Sequence, residues 1–184
     1  MSAAHPIRPP WLVLPDYQCF GCSPHNPAGL RLSFFPAADG DGLETPLAFG
    51  REHESYPGVV HGGIVATVCD EIMGNLLVLR TGLTHFTVTL RTRFLTPLAV
   101  GAAYRCVATA RPEPGVAGQR QATAEVLDGA GNTVASATGT YQPASAESSR
   151  QHLALSDADR RLLADAMSTV SIEQGNHSSG RDGG

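Results

Sequence analysis

Tyr56-Pro57-Gly58-Val59-Val60-His61-Gly62-Gly63, with the apolar run from Ile64 to about Arg80, decides how the rest of this chain reads. Proline and glycine make a turn, and His61 with the glycine pair stands where a helix begins. Glycines at a helix start let another backbone or a ligand come close, because no Cβ intervenes. The unpaired N–H groups of a first turn attract partial negative charge, and the macrodipole adds to that pull. The run that follows carries one adjacent carboxylate pair, Asp70 and Glu71, which is costly to bury without a task. The segment therefore reads as both the central core helix and the chemical site.

Working outward, Arg80-Thr81-Gly82 suits a helix end. The pattern then switches to period two. Phe86, Val88, Leu90, Thr92 and Phe94 alternate with His85, Thr87, Thr89, Arg91 and Arg93, which predicts a half-buried strand with one apolar face. Strand-like runs follow at 103–110, 119–127 and 133–141, the last two joined by the turn Asp128-Gly129-Ala130-Gly131-Asn132. Before the helix, Leu30 to Phe35 and Leu43 to Phe49 read as strands, separated by Asp39-Gly40-Asp41-Gly42. Two strands, one long helix and four strands with short connections predict an antiparallel sheet curled around a single apolar helix. The class is α+β.

Three segments follow from the pattern: an arm over 1–28 with a Cys-x-x-Cys turn, a core domain over 29–143, and a C-terminal part over 144–184. Prolines every few residues forbid a long helix in the arm. The C-terminal part reads as a polar linker to Leu155, a short helix from a capping box at Ser156 to about Met167, and a disordered tail over 171–184.

The totals exclude several classes. A net charge of −4 gives no case for nucleic acid, and all 13 basic residues are arginine. Asp70, Glu71 and Arg80 interrupt the apolar helix, so it predicts no membrane span. Trp11-Leu12-Val13-Leu14 is too short for a signal peptide, and four unevenly spaced cysteines make no disulfide framework. The expectation is a soluble, cytoplasmic protein.

The stretch from Pro57 to Glu71 resembles the active-site helix of hotdog-fold thioesterases, in the branch containing phenylacetate-pathway and thioesterase-superfamily acyl-CoA hydrolases. Cys19-Phe20-Gly21-Cys22-Ser23-Pro24-His25-Asn26-Pro27-Ala28-Gly29-Leu30 resembles that branch's N-terminal signature, and Arg93-Phe94-Leu95-Thr96-Pro97 with Ala99-Val100-Gly101 its strand after the helix. The resemblance covers roughly 19–142 and gains specificity from the Asp nine residues after the His. It implies a curved antiparallel sheet wrapped around the long helix, and a homodimer as the minimum unit, with a tetramer left open. It also implies hydrolysis of an acyl-CoA without a metal or organic cofactor. By the same resemblance Asp70 matches the catalytic carboxylate and Gly62 the residue whose backbone N–H polarises the thioester carbonyl. Thr87 falls where some relatives place a water-positioning serine. Gly62 and Asp70 would come from opposite subunits. One departure stands out: several relatives carry asparagine six residues before the His, and here that position is Ser55.

The residues support this chemistry with alternatives open. A helix N-terminus at Gly62-Gly63 supplies oxyanion stabilisation without a side chain. Asp70 suits a general base on water or a nucleophile forming an anhydride. The plainer reading of Asp70 is a carboxylate on a solvated helix face. His61 suits shaping the site or capping the helix. Ser55 and Gly63 are expected at the substrate. Glu71 points about 100° away from Asp70 and reads as a supporting group at the substrate's edge. Cys19, Cys22 and His25 have ligand-like spacing, but no second pair completes a zinc site, so no metal is expected and the turn is expected to pack near the site's mouth. A carrier-protein thioesterase and a non-catalytic acyl-thioester binding module are the alternative functions.

Overall fold

The computed structural model describes residues 5–111, 115 and 118–173. The helix that anchors the chain, α1, runs Gly62–Thr81. His61 caps its start, and Gly82, in the left-handed region at φ 65°, closes its end with an N–H to the Val78 carbonyl. Val65, Val68, Cys69, Ile72, Met73, Leu76 and Leu77 repeat at three- and four-residue steps and are all buried. Burying each large aliphatic among them contributes about 1.5–3 kcal/mol. In length and apolar composition α1 matches a membrane span; its packing makes it the core helix.

The strands are β1 (Phe35–Pro36), β2 (Leu43–Ala48), β3 (His85–Phe94), β4 (Ala103–Ala110), β5 (Arg120–Leu127) and β6 (Thr133–Pro143). They form one antiparallel sheet in the order β1-β2-β4-β5-β6-β3. Its helix-facing side carries Cys106, Ala108, Ala122, Ala124, Ala135 and Ala137, all buried. Small residues there let the sheet close tightly on the bulkier stripe of α1. This is the curved sheet around one helix that the pattern predicts, the hotdog arrangement.

Four expectations need correcting. Leu30 to Ser33 do not form a strand: Leu30 and Leu32 donate their N–H groups to the Phe20 and Gly21 carbonyls, and Arg31 sits at φ 53°. The chain there is tied to the Cys-x-x-Cys loop instead of the sheet, and β1 shrinks to two residues. In β3 a bulge between Thr87 and Thr89 shifts the register against β6. Thr87 pairs with Tyr141, whereas Leu90, Thr92 and Phe94 pair with Gly139, Ala137 and Ala135, so all four share the helix side. Phe86 pairs with Gln142 on the other face and meets His152 edge-on. The expected single apolar face is thus split by the extra residue. The linker contains a helix, α2 (Ala146–His152), and α3 spans Asp157–Glu173, beyond the expected end at Met167. Leu163 and Met167 hold α3 against Leu14 and Val78. The remainder of the expected tail, 174–184, lies outside the described residues.

Candidate active site

His61 settles as a cap. Its Nδ1 accepts the Gly63 N–H at 2.9 Å, and its carbonyl accepts from Ile64 and Val65. A Cβ on Gly63 would lie 3.0 Å from that Nδ1, so glycine is what lets the ring fold back. Three of the helix's first four N–H donors are thereby used; of the four, only that of Gly62 has no partner among the described residues. Beside it lies an apolar cavity of about 480 Å³ lined by Tyr56, Val59, Val65, Phe94, Leu95 and Leu98. The Phe94 ring sits over Gly62, 3.2 Å from where a Cβ would be. Ser55 also borders this cavity, but its hydroxyl and its N–H both turn to the Val59 carbonyl. It shapes the entry turn.

Two turns along α1, Asp70 occupies a different pocket, about 200 Å³ in volume and polar in lining. Thr87 donates its hydroxyl to Asp70 Oδ1 at 3.0 Å and Oδ2 at 3.3 Å. Tyr141 donates to Oδ1 at 2.9 Å. Tyr141 is almost wholly buried, and burial, followed by the neighbouring Asp70 charge, pushes its hydroxyl pKa far up, so it remains a donor. Its ring approaches Gly139, where a Cβ would come within 2.5 Å of it. On this partly exposed helix position the carboxylate is oriented by two hydroxyls.

Sequence reasoning did not single out Tyr141. The signal was available in β6, where Ala135, Ala137, Gly139 and Tyr141 share the inward face and only one of them is large and carries a hydroxyl. His85 was passed over as well. It lines the same pocket, its Nδ1 at 2.8 Å from the Leu83 carbonyl and its buried Nε2 without a partner among the described residues. Burial lowers its pKa.

Glu71 borders this pocket but its carboxylate turns to the Cys-x-x-Cys loop. Burial, then the Cys19 charge, raises its pKa to about 7. Cys19, Cys22 and Glu71 bring one ligand atom each to within 4.8 Å of one another. His25 stands outside this cluster, exposed at the turn's rim.

Gly62 and Asp70 are eight residues apart, about 12 Å along a helix, too far to touch one carbonyl. One chain thus carries an unspent donor beside an apolar cavity and, separately, an oriented carboxylate in a polar pocket. A third cavity, about 580 Å³ between α2, α3 and the turn over 81–84 after α1, has no carboxylate among the described residues of its lining.

No family model matches this chain. No curated protein matches it in sequence. Solved structures do match in shape. A thioesterase superfamily protein aligns at 16% identity over 77% of this chain and 72% of that one, with a TM-score of 0.60. A phenylacetic acid degradation-related protein from Ralstonia eutropha JMP134 aligns at 23% identity over 65% and 90%, TM-score 0.54. A hypothetical thioesterase protein from Streptococcus pneumoniae TIGR4, solved with coenzyme A, aligns at 19% identity over 56% and 81%, TM-score 0.51. In architecture this chain is a hotdog-fold protein, sharing its fold with these thioesterase structures.

Proposed function

We propose that this chain hydrolyses acyl-CoA thioesters to a free acid and CoA, as a homodimer in which Gly62 of one protomer and Asp70 of the other serve each site. The observation that carries this reading is the division of labour along α1. The unspent Gly62 N–H and the hydroxyl-held Asp70 carboxylate are complementary halves of one reaction, on one helix but out of mutual reach. A second copy of the chain joins them. The edge strand β3 supports such pairing: Leu90 and Phe94 face the helix side yet remain exposed, at 37% and 51%.

In this reading the acyl group enters the apolar cavity and its carbonyl oxygen takes the Gly62 N–H. Asp70 Oδ2, less engaged than Oδ1, accepts a proton from water as the water oxygen attacks the carbonyl carbon. Negative charge collects on the carbonyl oxygen at the helix N-terminus, where the macrodipole stabilises it. The tetrahedral intermediate then collapses, the C–S bond breaks, and the CoA sulfur takes the proton from Asp70. The Streptococcus pneumoniae structure with coenzyme A supports the ligand class.

The test is CoA release from a panel of acyl-CoAs, measured by chromatography. Disulfide reagents would report Cys19 as well, because hydrogen bonding, first from Cys22, holds that thiol low at about 5. Asp70→Asn should lower kcat by at least about 100-fold. Equal turnover by the variant sinks the assignment. Tight acyl-CoA binding without turnover by the parent would instead support a binding module.

A further inference from the structure

The loop Cys19-Phe20-Gly21-Cys22 does more than turn the chain. Its backbone folds so that the Gly21 N–H donates to Cys19 Sγ at 3.3 Å, the kind of bond that settles negative charge on sulfur. Ser23, fully buried, fixes the far side of the turn: its hydroxyl donates to the Tyr17 carbonyl at 2.6 Å and accepts the His25 N–H at 3.1 Å. The loop is seated directly on Glu71 of α1. A Cβ on Gly21 would fall 2.4 Å from the Glu71 carboxyl carbon, so only glycine permits this approach. Cys19 Sγ lies 3.4 Å from both Glu71 oxygens, and Asn75 fixes the carboxylate with an N–H to Oε1 at 2.9 Å.

Three groups that all become anions are thus packed together in a largely buried place. No Arg or His forms an ion pair with Glu71 among the described residues. The only polar group supplied to the carboxylate from its own helix is the neutral Asn75 amide. A Cys19–Cys22 disulfide would leave the converging carboxylate without a role. A cation gives all three one.

We propose that Cys19, Cys22 and Glu71 form a binding site for a thiophilic divalent cation of the zinc type, which clamps the N-terminal arm onto α1. Two sulfurs and one carboxylate oxygen suit a borderline-soft ion with tetrahedral preference. In such a site the ligand atoms stand about 3.5–3.8 Å apart; here Cys19 Sγ is 3.4 Å from Glu71 and all three atoms lie within 4.8 Å of one another, within reach of small side-chain shifts. The three protein ligands leave one tetrahedral position for water. On binding, the thiols and the carboxyl release whatever protons they hold, and the ion takes their place. Asn75 is the outer partner that aims the carboxylate, and Gly21 the one that steadies the sulfur. This inference stands apart from the thioesterase reading and holds whether or not the protein turns over acyl-CoA.

The experiment uses the full chain, purified, reduced and freed of metal, and titrated with Co²⁺ as the probe. One equivalent should produce the near-ultraviolet thiolate-to-cobalt band and the strong visible bands of a tetrahedral site, and Zn²⁺ should displace it. Cys22→Ser should abolish the thiolate band or weaken binding by about 100-fold or more, and Glu71→Gln by about tenfold with the band retained. His25→Ala should leave the titration unchanged. A folded parent that gives no thiolate band at equimolar Co²⁺ overturns the proposal, as does a band unchanged in Cys22→Ser or lost in His25→Ala. Should Cys22→Ser fail to fold, the metal-to-protein ratio of the native parent by mass spectrometry decides: one zinc per chain supports the site and none rejects it.

Discussion

Asp70 and Glu71 are consecutive on one helix and chemically alike, yet the fold gives them opposite surroundings. Asp70 faces β3 and β6, where the Thr87 and Tyr141 hydroxyls hold its two oxygens without neutralising them. Glu71, a turn of about 100° away, lies under the Cys-x-x-Cys loop, where burial raises it to about 7. Hydroxyl donors stabilise and aim an anion, whereas desolvation beside thiols disfavours it. Adjacent in sequence, the two carboxylates thus have separate surroundings, one suited to the proposed reaction and the other to the proposed clamp on the N-terminal arm.

The widest separation of the two should appear in turnover. Where Asp70→Asn loses at least about 100-fold in kcat, Glu71→Gln should keep kcat within about tenfold of the parent. Equal losses would merge the two groups into one site. A smaller effect probes the hydroxyls. Tyr141→Phe keeps the buried ring and removes the donor to Oδ1, so kcat should fall about tenfold and stability by about 1 kcal/mol. A loss of stability with unchanged kcat would make Tyr141 a packing residue only.

The last effect is one of pH and touches stability alone. In metal-free protein the folded state holds a proton on Glu71 to about 7, while the unfolded chain releases it near 4.5. The associated stability is fully present below about 4.5 and is lost as pH rises through about 7. Denaturant midpoints of the parent should therefore fall relative to Glu71→Gln across that window, by the order of 1–3 kcal/mol. A difference that stays constant with pH would mean that Glu71 ionises as it would in water.

Much of this arrangement was legible in the residues. The stripe from Val65 to Leu77 and the Gly82 stop gave α1 to within two residues, because burial and capping leave local marks. Asp70, Gly62 and Thr87 could be named from a resemblance, and the structure brings Thr87 to Asp70. What was hidden depended on contacts distant in sequence. The bulge at Val88 has no compositional mark, so the apolar face of β3 was read as continuous. The Leu30 segment alternates like a strand, but pairs with a loop whose geometry only the fold fixes. Cys19 and Glu71 are 52 residues apart. No spacing rule joins them, which is why His25, the nearer ligand type, drew attention instead.

The central claim is that each site draws on two chains, and complementation tests it directly. Gly62 is the first helical residue and follows an extended His61 (φ −64°, ψ 128°), a place where proline fits. Gly62→Pro therefore removes the unspent N–H with little other change beyond a small shift of Phe94, and should cost about 100-fold in kcat. On the proposed reading, Gly62→Pro and Asp70→Asn homodimers should each be nearly inactive, whereas a mixed dimer should contain one site with both groups intact. Unfolding and refolding the two variants together in equal amounts should restore about a quarter of parental activity, since half the dimers are mixed and each has one working site. Activity no higher than that of the separate variants would contradict a shared site and return both groups to a single chain.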